Sequence, residues 1–262
     1  MNRWLLNHLP TWGIMTLFVI GAMVFAYLIF RVVRRYLPDL GEGEQNEVAT
    51  LSVEIIGAVY GIILGFVIVA LWEGFNRADE NVSAEATSMS QIVRSAQIFS
   101  PEAKKDVTAA VGDYVHAVTD DEWDKMRDGK TSTRAADAIA GVYTALEKYE
   151  PQTETQKTFY SEAVTRLNEG LSFRRTRLDR VDASIPGALQ FMMYAGFVAI
   201  IGFMAVMHST RRRGQMIMLL GVTAMIAFIL VLATTLDYPF SGDVSVSDEP
   251  FRSGALAQFY QE

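Results

Sequence analysis

Apolar positions along the chain gather into four long runs that no charge interrupts. Thr11–Phe30, Ile55–Trp72, Pro186–Met207 and Gly214–Leu236 contain no Asp, Glu, Lys or Arg. A hydrocarbon core of about 30 Å needs roughly 20 helical residues, so each run is long enough to cross a bilayer. A soluble fold would have to hide all four in one small core. The pattern therefore predicts a multi-pass membrane protein. The first run is longer than a secretory core of roughly 7–15 residues. It ends in Arg31-Val32-Val33-Arg34-Arg35, not in a small-residue cleavage site, and is expected to be a retained helix. No lipidation or retention motif is visible at either end.

Between the second and third runs the character changes. Residues 76–185 carry 15 basic and 19 acidic side chains, including all six lysines. Their apolar positions recur at helical spacing. Val82, Met89, Ile92, Val93, Ala96 and Phe99 form one stripe, and Ser100-Pro101 reads as an N-cap with Pro at the first helical position. Val107, Val111, Tyr114, Val115 and Val118 continue, until Asp128-Gly129-Lys130 breaks the pattern. Ile139, Val142, Leu146 and Tyr149 form the next stripe, stopped at Pro151, and Val164, Leu167, Leu171, Leu178 and Val181 form the last. With few breakers between Leu51 and Phe99, a single helix should run from the second span into this segment. Pro186-Gly187 is expected to bend or start the third span.

The expected fold is all-α, with four transmembrane helices and a helical bundle inserted between the second and third. Its parts are a first hairpin (1–75), the polar bundle (76–185), a second hairpin (186–236) and a tail with a Pro-Phe turn and a short helix (237–262). The loop His208–Arg213 is short enough for a tight hairpin. Four crossings place both termini and the bundle on one side. Arg31, Arg34, Arg35 and Arg211–Arg213 flank the two short loops, and basic residues there favour the cytoplasm. This charge rule favours an extracytoplasmic bundle in a bacterial inner membrane. Arg174, Arg175, Arg177 and Arg180 argue the other way.

Composition narrows the chemistry. There is no Cys, and 23 basic against 30 acidic residues give a net charge of −7, which disfavours a disulfide-stapled or nucleic-acid-binding protein. His8, His116 and His208 are far apart, with no metal-ligand spacing, phosphate-binding Gly-rich loop or G-x-S-x-G. Neither catalysis nor a bound cofactor or metal is expected. The second span is the informative one. Gly57, Gly61 and Gly65 recur every four residues and give a smooth face for close helix packing. Glu54 and Glu73 bracket the span; they are either solvated boundary acids or acidic rings at the mouths of a central pore. Tyr60, Leu64, Val67 and Leu71 share a face that could line an apolar constriction, or touch lipid or a neighbouring helix. Trp4, Trp12 and Trp72 suit an interfacial belt. The arginines at 174–180 suggest ion pairs with Asp179 and Asp182 and contact with headgroups. Asp243, Asp248 and Glu249 lack the spacing of a calcium loop and are expected to be solvated.

The tail carries a resemblance. Asp237-Tyr-Pro239-Phe240-Ser-Gly242-Asp243, then Ser247-Asp-Glu-Pro250-Phe251 and a short helix, resembles the segment after the last span of bestrophins. With Gly57-Ala-Val-Tyr60-Gly61-Ile-Ile-Leu-Gly65-Phe66, Glu73, Arg174-Arg-Thr-Arg177-Leu178 and Ile185-Pro186, most of residues 50–262 is similar to the bacterial bestrophin-like membrane proteins. The resemblance implies a homo-oligomeric ion channel, pentameric in bestrophins, whose second span lines a central pore. Animal members conduct anions under calcium control, and a bacterial relative conducts cations. The tail lacks the consecutive acids of the animal calcium site. Bestrophins also keep termini and helical domain in the cytosol, opposite to the orientation that the charge rule favours.

The expected function is an oligomeric channel, cation-preferring because Glu54, Glu73, Asp79 and Glu80 cluster at the span ends. Its partners are the bilayer, further copies of the chain and inorganic ions. The rival is a membrane-embedded sensor or scaffold whose bundle binds a ligand or partner. An ion-coupled transporter is disfavoured, because it would place ionisable groups in mid-membrane.

Overall fold

The computed structural model describes residues 3–36, 44–182, 185–207 and 212–261, which are almost entirely helical and contain no strand. Helices α1 (Arg3–His8), α2 (Thr11–Tyr36) and α3 (Glu44–Ser95) come first. The polar segment continues with α4 (Pro101–Ala117), α5 (Trp123–Arg127), α6 (Thr133–Glu147) and α7 (Glu154–Asp182). Helices α8 (Gly187–Val206), α9 (Arg212–Leu236) and α10 (Glu249–Arg252) complete the chain. Four helical segments are long and apolar enough to span a membrane: Thr11–Tyr36, Thr50–Ile98, Gly187–Val206 and Arg212–Leu236. They contain the four charge-free runs, apart from Pro186 and Met207 at the edges of the third. Residues 37–43 and 208–211 of the two short loops lie outside the described residues, and α3 begins at Glu44, earlier than the sequence pattern suggests.

Local chemistry explains the boundaries. Helix α3 is a single helix of 52 residues. It closes in a 3₁₀ turn, Ala96–Ile98. Ser100 then caps α4, its Oγ accepting the Ala103 N–H at 3.3 Å, with Pro101 in the first turn. Ser132 caps α6 in the same way through the Ala135 N–H at 3.1 Å. Gly129 makes the expected break with a φ of +78°, a region that favours glycine. Pro186 takes the N-cap position of α8. The short C-terminal helix is two turns, α10 and a 3₁₀ turn at Gly254–Phe259, separated where Gly254 adopts a φ of +61°.

Contacts divide the chain into two units. The first holds the described parts of residues 8–73 and 184–237. Its core is mainly apolar: Ala22, Ala26 and Phe30 of α2, Tyr60, Leu64 and Val67 of α3, Phe197 and Ile201 of α8, and Leu219, Ala227 and Leu230 of α9. Alanines on α2 and α9 let the two helices approach closely, which is how spans associate where lipid is as apolar as leucine. The second unit holds the described parts of residues 2–7, 74–183 and 238–262. The tail is therefore built into the polar bundle. Val82, Met89, Ile92, Val107, Val111, Tyr114, Val142 and Leu167 fill its core, and Phe240, Phe251 and Leu256 of the tail join them.

Candidate functional site

Helix α3 presents two different faces within the first unit. Tyr60, Leu64 and Val67 are buried, and Leu71 is partly buried against the same cluster. The Tyr60 hydroxyl donates to the Met193 carbonyl of α8 at 2.6 Å. The face expected to line a constriction is thus occupied by the chain's own α8 and α9. The reason is geometric: in a helix apolar on every side, the stripe with a ring and a hydroxyl finds a carbonyl partner within the subunit. The opposite stripe, Ile55, Val59, Ile62, Phe66 and Val69, is exposed; Phe66 is 72% accessible against 4% for Leu64. Glu54 and Glu73 are exposed at the two ends of the span. Gly57, Gly61 and Gly65 pack on nothing within the chain, since a Cβ at any of them would meet no atom within 4 Å. The close glycine contact of this unit lies instead at Gly196, against the ring of Tyr60.

The second unit contains a buried ion network that sequence reasoning missed. Arg177 of α7 is fully buried. Its Nε donates to Glu85 Oε2 at 2.7 Å and its Nη2 to Glu85 Oε1 at 3.0 Å, while Nη2 also donates to Glu122 Oε2 at 2.8 Å. Arg174 donates to the other oxygen of Glu122 at 2.5 Å, and the Tyr114 hydroxyl donates to Glu85 Oε1 at 2.5 Å. The Arg177 guanidinium also lies over the Trp123 ring, 5.5 Å from its centre, and reaches the Met126 sulfur. Two acids face two arginines, so the network is formally neutral. Glu122 belongs to a π-helical turn, Val118–Glu122, between α4 and α5. Burial and the Glu85 carboxylate hold the Tyr114 phenol well above its usual range. Burial alone would lower Arg177, but Glu85 and Glu122 outweigh it and raise it. Arg174 and Arg177 thus pair with distant acids rather than with Asp179 and Asp182.

The tail closes over the same region. Phe240 and Phe251 meet the Trp123 ring edge-on, at centre distances of 6.0 and 6.4 Å. Trp123 is therefore a bundle residue, whereas Trp4, Trp12 and Trp72 are exposed. The Pro239 carbonyl accepts the Val246 N–H at 2.8 Å. Gly242, at a φ of +82°, donates its N–H to Asn7 Oδ1 at 3.1 Å, and Ser241 Oγ donates to the Arg127 carbonyl at 2.9 Å. Asp237, in the first unit, accepts the Ile185 N–H at 2.9 Å, whereas Asp243 is exposed. Asp248 pairs with Arg252 at 2.8 Å. No group of His, Cys, Asp or Glu among the described residues could hold a metal ion. His208 lies outside the described residues.

Residues 20–251 match the bestrophin-like domain. The chain belongs to the bestrophin-like family. Solved structures similar to this bestrophin-like protein include point variants of a bacterial bestrophin homologue from Klebsiella pneumoniae. One matches with a TM-score of 0.69 at 11% identity, covering 95% of this chain and 99% of that one. A second matches with a TM-score of 0.66 at 12% identity, over 94% and 97% of the two chains. Identity this low carries the fold, and four apolar helices on that fold make the chain a membrane protein. No curated protein matches it.

Proposed function

We propose that this bestrophin-like protein forms a homo-oligomeric ion channel in which α3 lines a central pore. One observation carries the reading: α3 combines an uncovered apolar face, Ile55 to Val69, with three glycines at four-residue spacing, Gly57, Gly61 and Gly65, where a Cβ would meet no atom within 4 Å. Copies meeting through Gly57, Gly61 and Gly65 could approach closely. The apolar constriction is reassigned to Ile62 and Phe66, the exposed positions, where a narrow hydrophobic ring can gate by dewetting. Glu54 and Glu73 then form acidic rings at the mouths and favour cations, and the resemblance to bestrophins supports a pentamer as the assembly. The bundle interior is filled by its own side chains, which favours the channel over a ligand sensor.

The test is reconstitution of the purified chain into planar bilayers under asymmetric KCl. Unit conductance with a reversal potential near that of potassium supports the proposal. A reversal near the chloride potential overturns the acidic-mouth assignment and keeps the pore. Silence from protein that mass measurement finds monomeric or dimeric removes the channel.

A further inference from the structure

Arginines stand in the last turn of α2 and at the start of α9. Arg34 fixes these two ends together: its Nη2 donates to the Gln215 Oε1 of α9 at 2.7 Å and to the Met207 carbonyl at the end of α8, also at 2.7 Å. That contact leaves Arg31 and Arg35, one turn apart on α2, and Arg212 and Arg213, at the start of α9, exposed at the same end of the membrane unit. None of these four makes an ion pair among the described residues. The acid nearest in the chain whose side chain is described, Glu47, is likewise exposed and unpaired. Arg31 and Arg35 lie over the rings of Tyr27 and Tyr36, at 5.9 and 5.8 Å. Both rings are substantially exposed, as suits side chains at headgroup depth.

We propose that this arginine cluster binds the phosphate of an anionic phospholipid. Guanidinium groups match phosphate oxygens in a paired, planar geometry that lysine cannot reproduce, and all the basic residues at this end are arginines. Basic clusters between spans, at the edge of the hydrocarbon, are suited to phosphate headgroups. The flanking apolar surface of Tyr27, Leu28 and Val32 on α2 and Ile217 and Met218 on α9 is exposed and would carry the acyl chains. A headgroup with two phosphates would engage both arginine pairs. Channel function is not required for this inference.

The experiment uses the full chain, delipidated in a non-ionic detergent and titrated with cardiolipin, phosphatidylglycerol or phosphatidylcholine. Binding is read by native mass spectrometry and melting temperature. Cardiolipin and phosphatidylglycerol should bind and raise the melting temperature, and phosphatidylcholine should not. R31Q/R35Q and R212Q/R213Q should each weaken anionic lipid binding by about tenfold or more. Should either fail to fold, R31K/R35K and R212K/R213K keep the charge, lose the planar fork, and should bind several-fold less well. Equal binding of phosphatidylcholine, or unchanged binding by all variants, overturns the proposal. Displacement of phosphatidylglycerol by millimolar inorganic phosphate would make the ligand a free anion and overturn it equally.

Discussion

The ring of Tyr60 fills the space that a side chain at position 196 would need, so α3 and α8 meet at Gly196 with a hydroxyl-to-carbonyl bond one turn away at Met193. Gly196→Ala should therefore destabilise the membrane unit by about 1–3 kcal/mol through overpacking. Tyr60→Phe removes only the hydrogen bond and should cost about 1 kcal/mol. Thermal unfolding in detergent should rank G196A below Y60F. Y60A should lessen the penalty of G196A, because it clears the clash.

Removing Arg177 leaves Glu85 and Glu122 buried without it. Arg177→Met should lower stability by about 3–5 kcal/mol, since breaking a buried pair strands the partner charge. Arg177→Lys should recover only part, because one ammonium cannot supply the two-pronged contact to Glu85 and also reach Glu122. Denaturant melts of the full chain should order the proteins as native, then Lys, then Met.

Tyr114 gives a pH signature. Its folded value stands well above the ordinary 10.0 to which it returns on unfolding. Above pH 10 the unfolded chain releases this proton while the native chain keeps it, so the native state binds more protons. Stability then falls as pH rises. Below pH 10 the contribution is fully present. Difference absorbance at 295 nm should find tyrosines that ionise only with unfolding, and Tyr114→Phe should lower their number by one.

The tail is part of the bundle core, not an appendage. Phe251 is completely buried beside Trp123. Phe251→Ala should cost about 3–5 kcal/mol. Gly242→Ala should cost about 1–2 kcal/mol, because its backbone is in the left-handed region. Proteolysis within residues 238–262 should accelerate in both variants, whereas a bundle that did without the tail would leave the rate near that of the native chain.

In single-channel recordings, Glu73→Gln should reduce cation preference. Phe66→Ala should widen the constriction and raise conductance, and Leu64→Ala should act chiefly on stability. A conductance change with Leu64 and none with Phe66 would return the lining to the buried face.

The spans, Ser100 cap, Gly129 break and apolar stripes were legible because each rests on neighbours within one or two turns. The orientation of α3 was not. An apolar helix has no polar side to mark which face turns inward, so Tyr60 and Ile62 looked alike. The ion network was hidden because Arg177 finds Glu85 across 92 positions of sequence. A signal was present nonetheless. Glu85 falls between Val82 and Met89 on the buried stripe of α3, Glu122 four residues after Val118, and Arg177 four before Val181. A charge at a core position announces a partner even when it does not name one. Gly57, Gly61 and Gly65 were conspicuous by spacing, whereas helical glycines in tight contact with another side chain, such as Gly112, Gly170 and Gly196, have no pattern.

The balance of two acids against two arginines inside the bundle also constrains descent. Any single change from charge to neutral leaves an odd charge in a dry interior, and the chain that carries it folds poorly. Drift at Glu85, Glu122, Arg174 and Arg177 must then be concerted, so lineages either keep the set or exchange it together for apolar residues. The four positions should behave as one inherited character, and relatives that have lost one should have lost the others.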